Sequence, residues 1–329
     1  MALASCGLIA GVHLDGWAHS HGKVDQSFFT PWHAVLYTSF FVLAAVIVGA
    51  LALNRLRSTS WLQATPRGYE LAPLGVAIFA LGGVGDMIWH VLFGIEVGVE
   101  ALVSPSHLLL AVGASLMITA PLRRAWQNAD LAPRTFVDLV PALLSVMCLL
   151  TVLSFFTEFA NATINARLVS RTLQGSGDVL VFRTQSVAMA GFVIQTALVM
   201  GIILLLLRRW MLPFGSVTLI LTLTIAFSSV LTDQYRLIPA AAVAGLLADV
   251  LIRLLRPSTH RPLALRSFAF ALPLIFYGLH YLTIALTSGI AWSVHLWTGT
   301  IVVAGLTSLL LSYLLVPPAV PAEAHSARP

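Results

Sequence analysis

The chain has 329 residues, 58% of them apolar and only 9% charged, with a mean hydropathy of +0.92. A soluble domain carries about 25% charged residues, so this composition excludes a soluble globular protein and a disordered chain. Eighteen Lys and Arg against thirteen Asp and Glu give a formal charge of +5, and seventeen of the eighteen are Arg; in a membrane protein such an excess belongs to cytoplasmic loops, not to a nucleic-acid partner.

A helix needs about 20 apolar residues to cross the hydrocarbon core of a bilayer. Ten windows qualify: 2–20, 33–54, 72–92, 107–122, 137–159, 184–207, 214–232, 239–255, 267–287 and 295–316. None alternates with a period of two, so helices are the spanning structure. The sequence therefore predicts an all-α, polytopic integral membrane protein of about ten transmembrane helices, arranged as repeated helical hairpins. The N-terminal MALASCGLIAG has no Lys or Arg before its apolar run and reads as part of the mature protein rather than as a signal peptide. His13, Asp15 and His19 fall inside the first window. Cys6 and Cys148, in the first and fifth windows, form no CxxC motif and no disulfide framework. Arg55, Arg57 and Arg67 follow the second window, Arg123, Arg124 and Arg134 the fourth, and Arg208 and Arg209 the sixth. Arg253, Arg256, Arg261 and Arg266 surround the loop after the eighth. The positive-inside rule makes these loops and both termini cytoplasmic. The loops at 20–32, 93–106, 160–183, 233–238 and 288–294 then face the periplasmic side of an inner membrane, and only 160–183 is long enough for a small external structure. Three regions follow. Residues 1–122 hold two repeated hairpins, 123–316 hold the further transmembrane hairpins, and 317–329 form a Pro/Ala-rich cytoplasmic tail whose composition predicts disorder.

The first two hairpins carry a repeat. Asp15-Gly-Trp-Ala-His19 is matched 71 residues later by Asp86-Met-Ile-Trp-His90, both D-x3-H. Six residues beyond each histidine stands an acid, Asp25 or Glu96, and each unit closes on (S/T)-P-x-H, at Thr30–His33 and Ser104–His107. Residues i and i+4 share a helix face about 5–6 Å apart at Cβ, so Asp15 with His19, and Asp86 with His90, reach one point. Proline suits the first turn of a returning helix, where its missing N–H is not needed, and this puts His33 and His107 level with the end of the outgoing helix. Each hairpin is expected to gather one carboxylate and two imidazoles at the outer boundary: Asp15, His19 and His33 in one, Asp86, His90 and His107 in the other. Asp25 and Glu96 are the additional acids, as ligands, bases or plain loop charges. Such donors suit copper, zinc, iron or nickel with open coordination positions. His280 and His295, 15 residues apart at a third hairpin without the acid, are the weaker candidates for a metal or haem.

The string from Asp15 to His33, D-x3-H-x5-D-x2-FFTPWH, resembles the intramembrane copper-site segment of the C subunit of particulate methane monooxygenase and ammonia monooxygenase. That resemblance covers residues 12–115 and implies that Asp15, His19 and His33 are copper ligands. Asp86, His90 and His107 are similar in placement to the family's second cluster, with Asp86 where the family has an amide. The resemblance implies a copper-dependent membrane oxygenase acting with companion membrane subunits in the bilayer; a copper- or zinc-handling protein without catalysis, and a haem-binding electron carrier, are the alternatives.

Elsewhere the expectations are plainer. Trp17, Trp32, Trp89, Trp292 and Trp297 read as an interfacial aromatic belt on the outer side. His13 and His21 read as groups flanking the first cluster. Glu158 with Arg183, and Asp233 with Arg236, read as structural ion pairs or loop charges.

Overall fold

The apolar windows fold as helices, and prolines and hydroxyl caps decide where each begins. The computed structural model describes residues 1–23, 28–58, 60–94, 96, 98–127, 135–169 and 178–318. Within them run α1 (Ala2–Ser20), α2 (Pro31–Arg55), α3 (Trp61–Ala64), α4 (Ala72–Phe93), α5 (Val99–Val103), α6 (Pro105–Ile118) and α7 (Ala120–Gln127). There follow α8 (Phe136–Phe156), α9 (Asp178–Arg209), α10 (Ser216–Ser229), α11 (Ile238–Leu255), α12 (Pro262–Thr287) and α13 (Val294–Leu315). No strand occurs among the described residues. Proline opens α2, α4, α6, α11 and α12. Thr135 and Asp138 close a reciprocal capping box at the start of α8.

Each of the ten windows coincides with helix. Seven helices are long and apolar enough to cross a membrane: α2, α4, α8, α9, α11, α12 and α13. The pair α6 and α7, bent by 41° at Thr119, makes an eighth if it counts as one span. Helix α1 falls outside that set because polar residues fill its second half, and α10 because it has 14 residues. Most exposed side chains along these helices are Leu, Val, Ile and Phe, a surface that needs lipid around it. The chain is thus a helical, multi-pass membrane protein.

Helix α1 packs on α2 and α8, α4 packs on α6, and α8 meets α10. From there α10, α11, α12, α13 and α9 pack in succession. Glycine allows the closest approaches: a Cβ on Gly11 would lie 2.9 Å from the Cα of Leu36, and one on Gly113 would lie 2.6 Å from the backbone nitrogen of Phe79. Small residues at helix contacts are the usual device in lipid, where backbone proximity replaces the hydrophobic drive.

The polar contacts sort the two ends of the bundle. At one end Arg123 donates to the carbonyl of Gly68 (3.1 Å) and Arg209 to that of Trp126 (3.2 Å), joining three Arg-rich connections. At the other, Thr232 donates to the carbonyl of Ile164 (2.6 Å) and Trp292 to that of Leu168 (3.2 Å). The 160–183 connection is the one long enough for a small external structure. Its described part, up to Val169, is drawn inward: Ala162, Ile164, Ala166 and Val169 are fully buried. Trp292 is buried with them and leaves the expected aromatic belt. Helix α9 also starts earlier than its apolar window, at Asp178. Most of the C-terminal tail, 319–329, lies outside the described residues.

Candidate metal centre

Asp15 and His19 occupy the last two turns of α1, and His33 the first turn of α2. Thr30 caps α2 by accepting the His33 backbone N–H at 3.1 Å, while the His33 Nδ1–H donates to the carbonyl of Phe28 at 2.5 Å. The pairing is repeated in the second hairpin. Asp86 and His90 end α4, and Gly94, at φ 84°, turns the chain back after it. His107 sits in the first turn of α6, its Nδ1 held by the carbonyl of Ala101 and within 2.9 Å of the Ser104 hydroxyl. A carbonyl can only accept, so these contacts put a proton on Nδ1 of His33 and His107 and turn Nε2 of both rings toward the carboxylates.

The Nε2 atoms of four histidines converge on the two carboxylates. Nε2 of His33 lies 3.5 Å and Nε2 of His19 4.0 Å from Asp15 Oδ2. Nε2 of His90 lies 3.5 Å and Nε2 of His107 3.1 Å from Asp86 Oδ1. The Ser106 hydroxyl donates to that same oxygen at 3.0 Å. Glu96 reaches His90 from the loop, with Oε2 3.2 Å from Nδ1.

The two hairpins do not form separate sites. His33 and His90 face each other at 6.2 Å between ring centroids, with Phe28 between α2 and α4 at 4.7 Å from His33 and 6.0 Å from His90. Two groups of three have donor atoms all within 4.8 Å of one another: Asp15, His19 and His33, and then His33, Asp86 and His90. The first is the expected triad. The second differs from the expected one by taking in His33, with His107 joined through Asp86. His33 belongs to both groups, and the result is one composite centre.

His33, Asp86 and His90 are 6%, 1% and 7% exposed. Asp15 Oδ1 and Glu96 Oε1 are buried without a hydrogen-bond partner among the described residues. Unpaired buried charge is costly, and a cation among these atoms removes that cost. Tyr37, one turn beyond His33, was not legible as a site residue. Its ring lies 6.2 Å from that of His33, its hydroxyl is buried and unpartnered, and Gly83 makes the space it fills. The i+4 spacing from His33 was the only available signal.

The remaining candidates lie elsewhere. Asp25 is outside the described residues. His13 is fully buried on α1, bonded through Nδ1 to the carbonyl of Ile9 at 2.9 Å and packed edge-on to Phe155. His21 pairs with Asp233 at 2.8 Å. Asp233 therefore takes His21 and not Arg236, whose guanidinium bonds Gln234 instead. Glu158 makes no ion pair with Arg183 among the described residues; Arg183 is exposed. His280 is buried among Phe192, Tyr277 and Tyr281, and His295 is exposed; neither joins a ligand group among the described residues.

Comparison of the chain with protein-family models, with curated proteins and with solved structures gives no match. Fold and site by themselves define a class: a multi-pass helical membrane protein with a buried Asp/His cluster at the end of the bundle opposite its Arg-rich connections.

Proposed function

We propose that this chain is an inner-membrane copper protein whose composite centre, built from Asp15, His19, His33, Asp86, His90 and His107, binds the metal near the periplasmic face. All ten helical units cross in this reading, as five hairpins of which the first two keep their ligands, and both termini are cytoplasmic. The observation that carries the proposal is the convergence of two donor groups, Asp15, His19 and His33 with His33, Asp86 and His90, each with its donor atoms within 4.8 Å of one another. Imidazole favours copper within the divalent series, and the resemblance to the C subunit of the copper membrane monooxygenases points the same way. Copper bound here supplies one-electron and oxygen chemistry. The chain's own contribution is to fix the ligands, with backbone carbonyls and Ser106 orienting them, and to keep bulk water away from the centre.

Burial favours a second reading. With His33, Asp86 and His90 closed off from solvent, the centre also suits a copper- or zinc-handling protein that does no chemistry on a substrate. Haem is disfavoured, because Asp15 and Asp86 occupy the space between the imidazoles where an iron would lie.

The test is elemental analysis with optical and paramagnetic-resonance spectra of the full chain in detergent. The expected result is one or two copper ions per chain, nitrogen-coordinated, without a haem Soret band. His33→Ala removes the residue shared by both groups and should abolish all bound copper, while His19→Ala leaves part of it. A chain that takes up no metal after reconstitution, or a His33→Ala variant with unchanged copper, overturns the proposal. Companion subunits co-purifying with the chain would support the oxygenase reading, and dioxygen reduction by the copper-loaded protein separates it from metal handling.

A further inference from the structure

Cys6 and Cys148 stand 142 residues apart in the chain, yet their sulfurs meet at 3.9 Å inside the bundle, Cys6 on α1 and Cys148 on α8. Cys148 is fully buried and Cys6 half-buried; both thiols are free. Both belong to an apolar cluster that also holds Met117 and Met147. The separation far exceeds the ~2.0 Å of a disulfide. It falls slightly short of twice a metal–sulfur bond of about 2.3 Å, a gap that small side-chain rotations close.

We infer that Cys6 and Cys148 form a second, soft-metal site between α1 and α8, specific for a two-coordinate monovalent cation such as Cu⁺. Three features select that ion. Thiolate sulfur prefers soft cations. The site offers two sulfurs in an apolar wall, whereas zinc requires four ligands. Charge decides the rest: a monovalent ion that replaces one thiol proton leaves the site neutral, and an apolar interior tolerates only that. In the binding step one S–H bond breaks, its proton leaves to the buffer, one metal–thiolate bond forms, and the second sulfur binds as a thiol. No atom changes oxidation state. Cys6, the less buried of the two, is the sulfur an incoming ion meets first.

This site is distinct from the Asp/His centre. Nine residues separate Cys6 from Asp15, which is about 180° around a helix of 3.6 residues per turn, so the thiols face α8 while Asp15 faces α2. Its fate in an experiment is therefore separable from that of the proposed copper centre.

The test uses Ag⁺, a redox-silent stand-in for Cu⁺, on the reduced full chain in detergent. After gel filtration the wild-type protein should retain one Ag⁺ per chain beyond any held by the His33-dependent centre. Cys6→Ala with Cys148→Ala should lose that equivalent and keep the histidine-bound copper unchanged. Alanine adds no buried polar atom, so folding is preserved. A second measurement needs no variant: Ag⁺ should slow maleimide labelling of wild-type Cys6 at least tenfold, and a competing thiol should restore it. Ag⁺ retained equally by the double variant, no protection of Cys6, or a Cys6–Cys148 disulfide in the purified protein would each overturn the inference.

Discussion

Asp86 is the most heavily engaged group of the centre. At 1% exposure its Oδ1 alone faces Nε2 of His90, Nε2 of His107 and the Ser106 hydroxyl, so one carboxylate oxygen organises three side chains from α4 and α6. Its counterpart Asp15 has no such hydroxyl and keeps Oδ1 unpartnered, which marks it as the more open end of the composite site. A different acid carries a pH prediction. Glu158 lies in the turn beyond α8, and burial pushes its carboxyl up to about 7. A folded-state value above the ordinary 4.5 means that the folded chain holds this proton longer than the unfolded one. The contribution is fully present below pH 4.5 and is lost as pH rises through 7, a change on the order of 3 kcal/mol at 1.36 kcal/mol per unit. Glu158→Gln should therefore melt at a higher temperature than wild type at pH 8, with the two curves converging toward pH 4. A constant offset across that range would refute the assignment.

At the scale of elements, the centre depends on how closely two helices approach. Gly113 on α6, six residues past His107, lies against the backbone of Phe79 on α4, seven residues before Asp86, so the contact sets the register that brings His107 and Asp86 together. An added Cβ would sit 2.6 Å from the Phe79 nitrogen, and backbone cannot give way as a side chain can. Gly113→Ala should lower thermal stability by about 1–3 kcal/mol, the range for overpacking, and reduce copper retention with it. Gly201→Ala on α9, where nothing lies within 4 Å, should change neither. Equal melting temperatures for the two variants would show that the α4–α6 contact is slack.

For the whole molecule, ten crossings put both termini on one side, and any odd number separates them. Green fluorescent protein fused in turn to each end should fluoresce in both cases, and alkaline phosphatase at the C-terminus should be inactive; an active phosphatase would remove one crossing from the proposed topology. The helices and the first Asp/His group were legible in the sequence because they rest on local rules. Apolar runs of bilayer length fold as helix, i and i+4 residues share a face, and proline starts a turn, so all ten windows and the Asp15–His19–His33 triad follow from spacing alone. Where two distant segments meet, spacing carries no information. That His33 closes against His90 was decided by the packing of α2 on α4, and that Cys6 meets Cys148 by the packing of α1 on α8. Asp233 found His21 rather than its neighbour Arg236, and Trp292 was covered by the 160–169 segment rather than left in an aromatic belt. In lipid the backbone has little choice but helix, so a helical membrane chain with two matching runs of Asp and His spacing is readable from the residues alone. That the two Asp/His groups meet follows from which helix faces pack together, and this depends on side-chain and glycine complementarity across the whole bundle.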